Sequence, residues 1–316
     1  MATATATAEP VSRAAFDEVF EACKNWGRWG ADDERGAINY ITPDKVTAAA
    51  ALVRSGRRVT CSWPLDTKSG PDNAKPVVHH MTFLHDIPIG DSGDLRFTMD
   101  YFAMEPHGDA HSHIDALCHV LFRGQLYNGV PAEEAITSIG CKVQGMDVAR
   151  DGLVGRGVLL DIPRLRGSKW VEPGEAILPE EILAAEEDQG VQMQEGDIVM
   201  FRTGHARKRL EEGPWDAANA KAGLHTTAMP LLHERRIAAI GYDGDGETVP
   251  SNCEGVMYPI HAIGIVAMGL YFMDSLQFED LAAACDAEGR NEFMCVIAPL
   301  RLAGGTGCPV NPIAIF

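Results

Sequence analysis

Long runs of positive charge are missing from this 316-residue chain, in which 27 basic residues stand against 45 acidic ones for a formal charge of −18. Without a stripe of Lys and Arg to follow phosphates, a nucleic-acid partner is not expected. The basic triplet Arg207-Lys208-Arg209 runs straight into Glu211-Glu212 and reads as a solvated helix face. Also lacking is any apolar run long enough to span a membrane, so no membrane partner is expected. The start, Met1-Ala-Thr-Ala-Thr-Ala-Thr-Ala8, has neither the charged nor the apolar region of a secretory signal, and reads as a frayed tail. The eight cysteines include no C-x-x-C pair, and several sit in apolar runs where a reduced thiol packs as a small hydrophobe. A reducing cytoplasm is the expected location. No Pro/Ser/Gly linker divides the chain and no repeat recurs in it.

What the chain does have is periodic structure. Phe16, Val19, Phe20 and Cys23 recur at helical spacing behind Ser12, a suitable cap. Thr42-Pro43 opens an alanine-rich helix that Gly56 closes. β-type runs are expected at 59–63, 158–162, 198–202, 237–242 and 293–297, with helices at 179–189 and 225–236 among them. Strands alternating with helices give an α/β (mixed α+β) class with a largely buried sheet, one domain over 12–316 behind a flexible tail at 1–11.

The densest group of metal-binding side chains is His107, Asp109, His111, His113, Asp115 and His119, within Glu105-Pro-His-Gly-Asp-Ala-His-Ser-His-Ile-Asp-Ala-Leu-Cys-His119. Imidazole with carboxylate suits Zn²⁺ or Mn²⁺, and the spacing of His113 and Asp115 puts both on one face of an extended segment. No pair carries the intervening Glu of a helical H-E-x-x-H site. His113 and Asp115 are the first ligands chosen, with His107, His111 and Asp109 as candidates for a third. His119 is placed as a proton acceptor beside the metal, because imidazole titrates near neutrality. Trp29, Trp63 and Phe102 are candidate walls of the substrate pocket. A Cys118/His119 nucleophile pair is disfavoured, since neighbours on a strand point apart.

Three other patterns lack their partners. Gly90-Asp-Ser92-Gly93 has no accompanying protease pattern. Asp243-Gly-Asp245-Gly-Glu247 lacks the later ligands of a calcium loop and reads as a turn. Gly304-Gly-Thr-Gly-Cys-Pro309 lacks the Gly-Lys-Ser/Thr of a phosphate loop and reads as a tight turn before the last strand.

Ser112-His113-Ile-Asp115-Ala-Leu117-Cys-His119 matches the T-H-x-D-x-P-x-H half of H-x-G-T-H-x-D-x-P-x-H, with Ser for Thr and Leu for Pro. On it the chain resembles the cyclase family of metal-dependent hydrolases, which includes kynurenine formamidase and isatin hydrolase. Further landmarks of the longer bacterial branch are Trp29-Gly-Ala-Asp-Asp-Glu-Arg-Gly36, Tyr127-Asn-Gly129, Arg156-Gly-Val-Leu-Leu-Asp161, Arg202-Thr-Gly204, Pro259-Ile-His261, Met268-Gly-Leu270 and Pro309-Val-Asn-Pro-Ile313. The pattern's first His falls on Asp109 and its Gly on His111, so His107 with Gly108 is the preferred replacement.

The resemblance implies a swivelling β/β/α fold, a Zn²⁺ or Mn²⁺ cofactor, and hydrolysis of an amide C–N bond in a small molecule, as a formamide or lactam. It implies His261 as a distant ligand, Asp274 where relatives carry Glu, and a homodimer or homotetramer. A lactone hydrolase or a metal-assisted cyclase or dehydratase would use the same residues. The rival of another class is a non-catalytic small-molecule-binding protein.

Overall fold

A computed structural model describes residues 9–85 and 87–316. Its centre is a nine-stranded mixed sheet. In chain order the strands are β1 (Arg58–Thr60), β2 (His113–Asp115), β3 (Leu153–Asp161), β4 (Ile198–Arg202), β5 (Ala239–Tyr242), β6 (Tyr271–Asp274), β7 (Glu292–Ile297), β8 (Gly307–Pro309) and β9 (Ile313–Ile315). Across the sheet they lie β1-β9-β7-β3-β4-β5-β6-β2-β8. β3 to β6 are mutually parallel, and the strands on both sides run antiparallel.

Burial follows from that layout. Every residue of β4, β5 and β6 is buried, as parallel strands covered on both faces require, whereas β7 alternates between buried and half-buried positions. Helix Pro43–Ala50 packs on β3 and β7, helix Pro179–Asp188 on β3, and helix Glu279–Glu288 on β1. The ends of β3 and β4 are tied to helix Glu279–Glu288 through Arg202, which donates to Asp161 at 2.8 Å and to both oxygens of Glu279 at 2.9 and 2.8 Å. A forked, charge-assisted contact of this kind fixes orientation as well as distance.

Helix Arg13–Ala22 is capped by Ser12 Oγ, which accepts from the Ala15 amide, and buries Phe16 and Phe20. Ordered pairing begins one residue before the expected domain start: Val11 bridges Cys253 and is itself buried. The expected helix over 225–236 is two pieces, a 3₁₀ turn at Thr226–Ala228 and an α-helix at Met229–Glu234. Pro230 explains the split, since a residue without an N–H belongs in a first turn. Strand β3 begins five residues earlier than its hydrophobic run suggested, because the half-buried Val154 and Arg156 pair with Val296 and Met294 at the antiparallel side.

Between β1 and β2 the chain leaves the sheet as an extended arm. Strands Val78–Phe83 and Met99–Ala103 pair antiparallel, and a smaller hairpin of Pro88–Ile89 with Leu95–Arg96 caps them. The protease-like Gly90-Asp-Ser92-Gly93 pattern is the tip of that hairpin. Among the described residues no helix is long and apolar enough to cross a membrane.

Candidate metal centre

β2 lies between β6 and β8, and its register assembles the site. Asp274 pairs with His113, and Phe272 with Asp115, so these four side chains share one face of the sheet. Ile114, pointing the other way, is fully buried in the core. On the other edge of β2, Gly307 stands opposite Asp115. A Cβ on Gly307 would lie 2.7 Å from His107 Cε1, so glycine there leaves room for the imidazole.

His107 comes in from the loop before β2, and His119 from the turn after it. Their rings stack with centroids 3.6 Å apart. His261 opens the π-helical segment Ala262–Met268, and its Nε2 reaches 3.3 Å from Asp274 Oδ2 and 3.9 Å from Asp115 Oδ2. Two sets of ligand atoms therefore gather around one carboxylate: His107, Asp115 and His119, and His113, Asp115 and Asp274, each set within 4.8 Å.

A divalent ion fits this donor set. Asp115 is 1% exposed, and neither of its oxygens has a hydrogen-bond partner; Asp274 Oδ1 and His107 Nδ1 are likewise buried and unpartnered. His107 Nδ1 and Asp115 Oδ1 are only 2.8 Å apart, yet neither is directed at the other as donor to acceptor. Both residues belong to one set whose ligand atoms lie within 4.8 Å of one another, close enough to share an ion. Left bare, such buried groups would cost several kcal/mol each, of order 1–3 or more.

The outer nitrogens of three imidazoles are anchored. His107 Nε2 meets Thr306 Oγ1 at 3.0 Å, His113 Nδ1 donates to the His111 carbonyl at 2.8 Å, and His261 Nδ1 lies 2.9 Å from Glu247 Oε1. Outer partners of this sort fix ring orientation and tautomer; the inner nitrogens of His107 and His113 lie 2.8 and 3.5 Å from Asp115 Oδ1, and that of His261 is hydrogen-bonded to Asp274 Oδ2 at 3.3 Å.

The electrostatics follow from crowding. Burial opposes charge on Asp115, but His119, His107 and His113 outweigh it and hold the carboxyl below its usual range. Burial pushes the His119 imidazole down to about 4, against the pull of Asp115, so its ring is neutral at pH 7. Burial raises Asp274 and Glu247, partly offset by His261 between them.

These groups border a cavity of about 280 Å³, at the small end of ligand pockets. Its wall contains His107, His113, Asp115, His119, His261 and Asp274, with Asp109, Lys221, Asp245 and Tyr258 beside them. Asp109 is paired with Lys221 and stands apart from both ligand sets. His111 is also apart: it contributes its backbone carbonyl to His113, while its buried ring has no hydrogen-bond partner on either nitrogen.

The three aromatic walls expected from sequence lie elsewhere. Trp29 packs edge-on against Tyr40 at 4.8 Å. Trp63 lines a separate cleft with Thr60 and Ser62, under the Arg209 guanidinium. Phe102 is 54% exposed on the arm. Tyr258, next to the His261 ring, is the aromatic in the cavity wall. Cys118 is buried away from the cavity with its Sγ toward the Gly305 carbonyl, so it does not pair with His119.

The turns read as bystanders turn out to hold the site together. In Asp243-Gly-Asp245-Gly-Glu247, Asp243 accepts from the Thr203 amide and hydroxyl and from the amides of Gly204 and His205. Asp245 takes Lys221, and Glu247 takes His261. Gly304-Gly-Thr306 supplies the Thr306 hydroxyl to His107. The acidic i, i+2, i+4 spacing after a buried strand was the available signal for Glu247; nothing local marked Lys221.

The replaced motif positions also have structural accounts. Ser112 keeps the hydroxyl of Thr and uses it twice, donating to the Ser275 carbonyl at 2.7 Å and accepting from the Trp63 amide at 3.0 Å. Leu117 is fully buried, with its Cδ1 against Gly36, where an added Cβ would also strike the Gly269 carbonyl at 2.3 Å.

The family described as putative cyclase matches residues 38–246, more than half of the chain. A crystal structure of a novel cyclase aligns with a TM-score of 0.82 at 32% identity, covering 93% of this chain and 100% of that one. Isatin hydrolase A from Ralstonia solanacearum shares the fold at a TM-score of 0.56 and 19% identity, over 87% of this chain and 98% of that one. A predicted metal-dependent hydrolase from Bacillus stearothermophilus does so at 0.53 and 18%, over 83% and 98%. No curated protein matches the chain. With the family matched over most of its core and a cyclase structure aligned along nearly its whole length, the chain belongs to the putative cyclase family.

Proposed function

We propose that this protein is a metal-dependent hydrolase that opens the C–N bond of an amide, formamide or lactam in a small molecule, using Zn²⁺ or Mn²⁺. The observation that supports it most directly is the buried carboxylate pair Asp115 and Asp274, with both oxygens of Asp115 and Oδ1 of Asp274 unpartnered, beside three anchored imidazoles at the edge of a small cavity. His107, His113, Asp115, Asp274 and His261 would hold the ion. When bound, a divalent cation supplies Lewis acidity and lowers the pKa of water toward neutrality.

The remaining chemistry belongs to the chain. His119 lines the cavity beside Asp115, with its ring fixed by stacking on His107, and is the proposed acceptor of the proton from water. It later returns that proton to the leaving nitrogen. Glu247 holds His261, and Thr306 holds His107, so both rings are oriented before substrate arrives. The amide preference is supported by the isatin hydrolases among the proteins that share this fold.

The family description favours a second reading, in which the same residues polarise a carbonyl for ring closure or lactone opening. Elemental analysis, chelation, add-back of Zn²⁺ or Mn²⁺, and assay on isatin, N-formylkynurenine and a simple lactone test both. Near-stoichiometric metal with restorable amide hydrolysis supports the first reading; metal-restored lactone turnover alone supports the second. Absence of metal and of turnover after add-back sinks both.

Two further proposals concern setting. All eight cysteines are unpaired thiols, which supports a reducing, cytoplasmic location. The arm over residues 78–103 carries ten large exposed apolar side chains, among them Val78, Phe97, Tyr101 and Phe102, which supports a homo-oligomer.

A further inference from the structure

Lys221 is 2% exposed and is the one Lys or Arg among the described residues that line the cavity. Its ammonium lies 2.5 Å from Asp109 and 2.6 Å from Asp245. Each partner belongs to a loop of the site: Asp109 follows His107 by two residues, and Asp245 precedes Glu247, the holder of His261, by two. Burial alone would favour the neutral amine, but the two carboxylates outweigh it and keep Lys221 protonated, above the ordinary lysine range.

An ammonium has three N–H donors, and among the described residues its only side-chain acceptors are these two aspartates. One donor is left for the cavity. Stability does not by itself account for a charge here, since a buried ion pair is commonly replaced by packed apolar groups at no loss. The charge count matters too. Asp109 and Asp245 already exceed the one positive charge of Lys221, and Asp115 and Asp274 share the same wall. Apart from the ion that the site would hold, no Lys or Arg among the described residues of the wall remains free to receive a substrate carboxylate.

Resting on the hydrolase reading above, we propose that Lys221 is a catalytic residue that gives its third N–H to the carbonyl oxygen of an uncharged amide or lactam, and that the cavity discriminates against substrates bearing a carboxylate. In the step it assists, the oxygen of water bonds to the carbonyl carbon, the C=O π pair moves onto oxygen, and His119 takes the proton. The oxygen that gains charge is the one Lys221 faces. As the C=O re-forms, the C–N pair leaves with nitrogen, which accepts the proton from His119. The product is a carboxylic acid, which ionises into a wall already rich in carboxylates and is expelled.

The test uses the zinc-reconstituted full chain labelled with ζ-¹⁵N lysine, probed with 2-oxindole and with 2-oxindole-5-carboxylate. The Lys221 resonance, identified by its loss in Lys221→Met, is expected to shift on saturation with 2-oxindole, and the carboxylated probe to bind at least about tenfold more weakly. Lys221→Met should lower kcat on isatin about 10²-fold, the usual effect of losing one oxyanion donor, with zinc content unchanged. Lys221→Met/Asp109→Asn removes one uncompensated carboxylate and should stay as slow. Recovery of the rate in that double variant would show Lys221 to be a counter-ion only, and an unshifted lysine resonance or equal affinity for the two probes would equally overturn the proposal. Failure of the hydrolase reading looks different: the unmodified chain then retains no zinc and turns over no isatin, whatever residue 221 is.

Discussion

At the scale of single residues, the proposed ligands and the proposed proton acceptor differ in how each is buttressed. His113 is anchored on the His111 carbonyl, and Asp115 is buried with both oxygens open. His113→Ala or Asp115→Asn should therefore lose metal and turnover together. His119→Asn should retain near-stoichiometric metal while turnover falls about 10²-fold or more, the usual range for general acid–base groups. Metal content measured beside kcat decides it: co-loss of metal in His119→Asn would make that imidazole a ligand. A different residue reports on stability. Burial pushes Asp197 up to about 6 from 3.8, against the opposing pull of Arg156. A carboxyl with a raised folded pKa binds its proton more tightly in the folded chain, so its contribution favours folding at low pH and is lost as pH rises toward 6. The stability of the unmodified chain minus that of Asp197→Asn, from urea unfolding, should fall between about pH 4 and 6 and stay level above. A difference that is level over this window and rises with pH only below about pH 4 would show that Arg156, and not burial, dominates.

At the scale of elements, the segment after His261 is under tight steric control. Gly264 sits in the π-helical turn against β6, and a Cβ there would lie 2.3 Å from Phe272 Cζ. Phe272 cannot swing away, because its ring is fully buried and packs on His261. Gly264→Ala should cost about 1–3 kcal/mol, as overpacking does, and should weaken metal binding by displacing β6 with Asp274. A variant of unchanged melting temperature and metal affinity would show that the segment yields freely. The same elements mark the limit of what the sequence reveals. That His113 and Asp115 share one face was legible because alternation on an extended segment is local information. Helix Arg13–Ala22 and strand Ile198–Arg202 were legible for the same reason: a cap followed by a 3.6-residue period, and a short apolar β-branched run. His261 and Asp274 came only through family resemblance. Lys221 meets Asp109 across 112 residues and Thr306 meets His107 across 199, separations that no window contains, whereas Glu247 lies only 14 residues from His261, a partner that resemblance alone had singled out. The aromatic residues misled because tryptophan is as useful for packing a loop as for walling a pocket.

At the scale of the whole molecule, the arm is the feature that a single copy leaves unexplained. A two-stranded ribbon with no third strand or covering helix is marginal in water, and this one, Val78–Phe83 with Met99–Ala103, carries Val78, Met81, Met99, Tyr101 and Phe102 at 44–55% exposure. Exposed apolar area of this extent implies a cover. The arm leads directly into the loop that carries His107, so whatever orders the arm also bears on that proposed ligand. A second copy of the chain is the proposed cover, although the formal charge of −18 on each copy opposes association over distances within the Debye length. Apolar contact must therefore dominate, and salt should strengthen the assembly by screening. Sedimentation at micromolar concentration should show a dimer or tetramer that tightens from 20 mM to 300 mM NaCl. Tyr101→Asp/Phe102→Asp should dissociate it, leave the fold of the central sheet intact by circular dichroism, and lower metal affinity through the loosened His107 loop. A monomer in the unmodified chain at both salt concentrations would refute the assembly. A dissociated double variant with undiminished metal affinity would separate the arm from the site, and leave the arm a purely associative element.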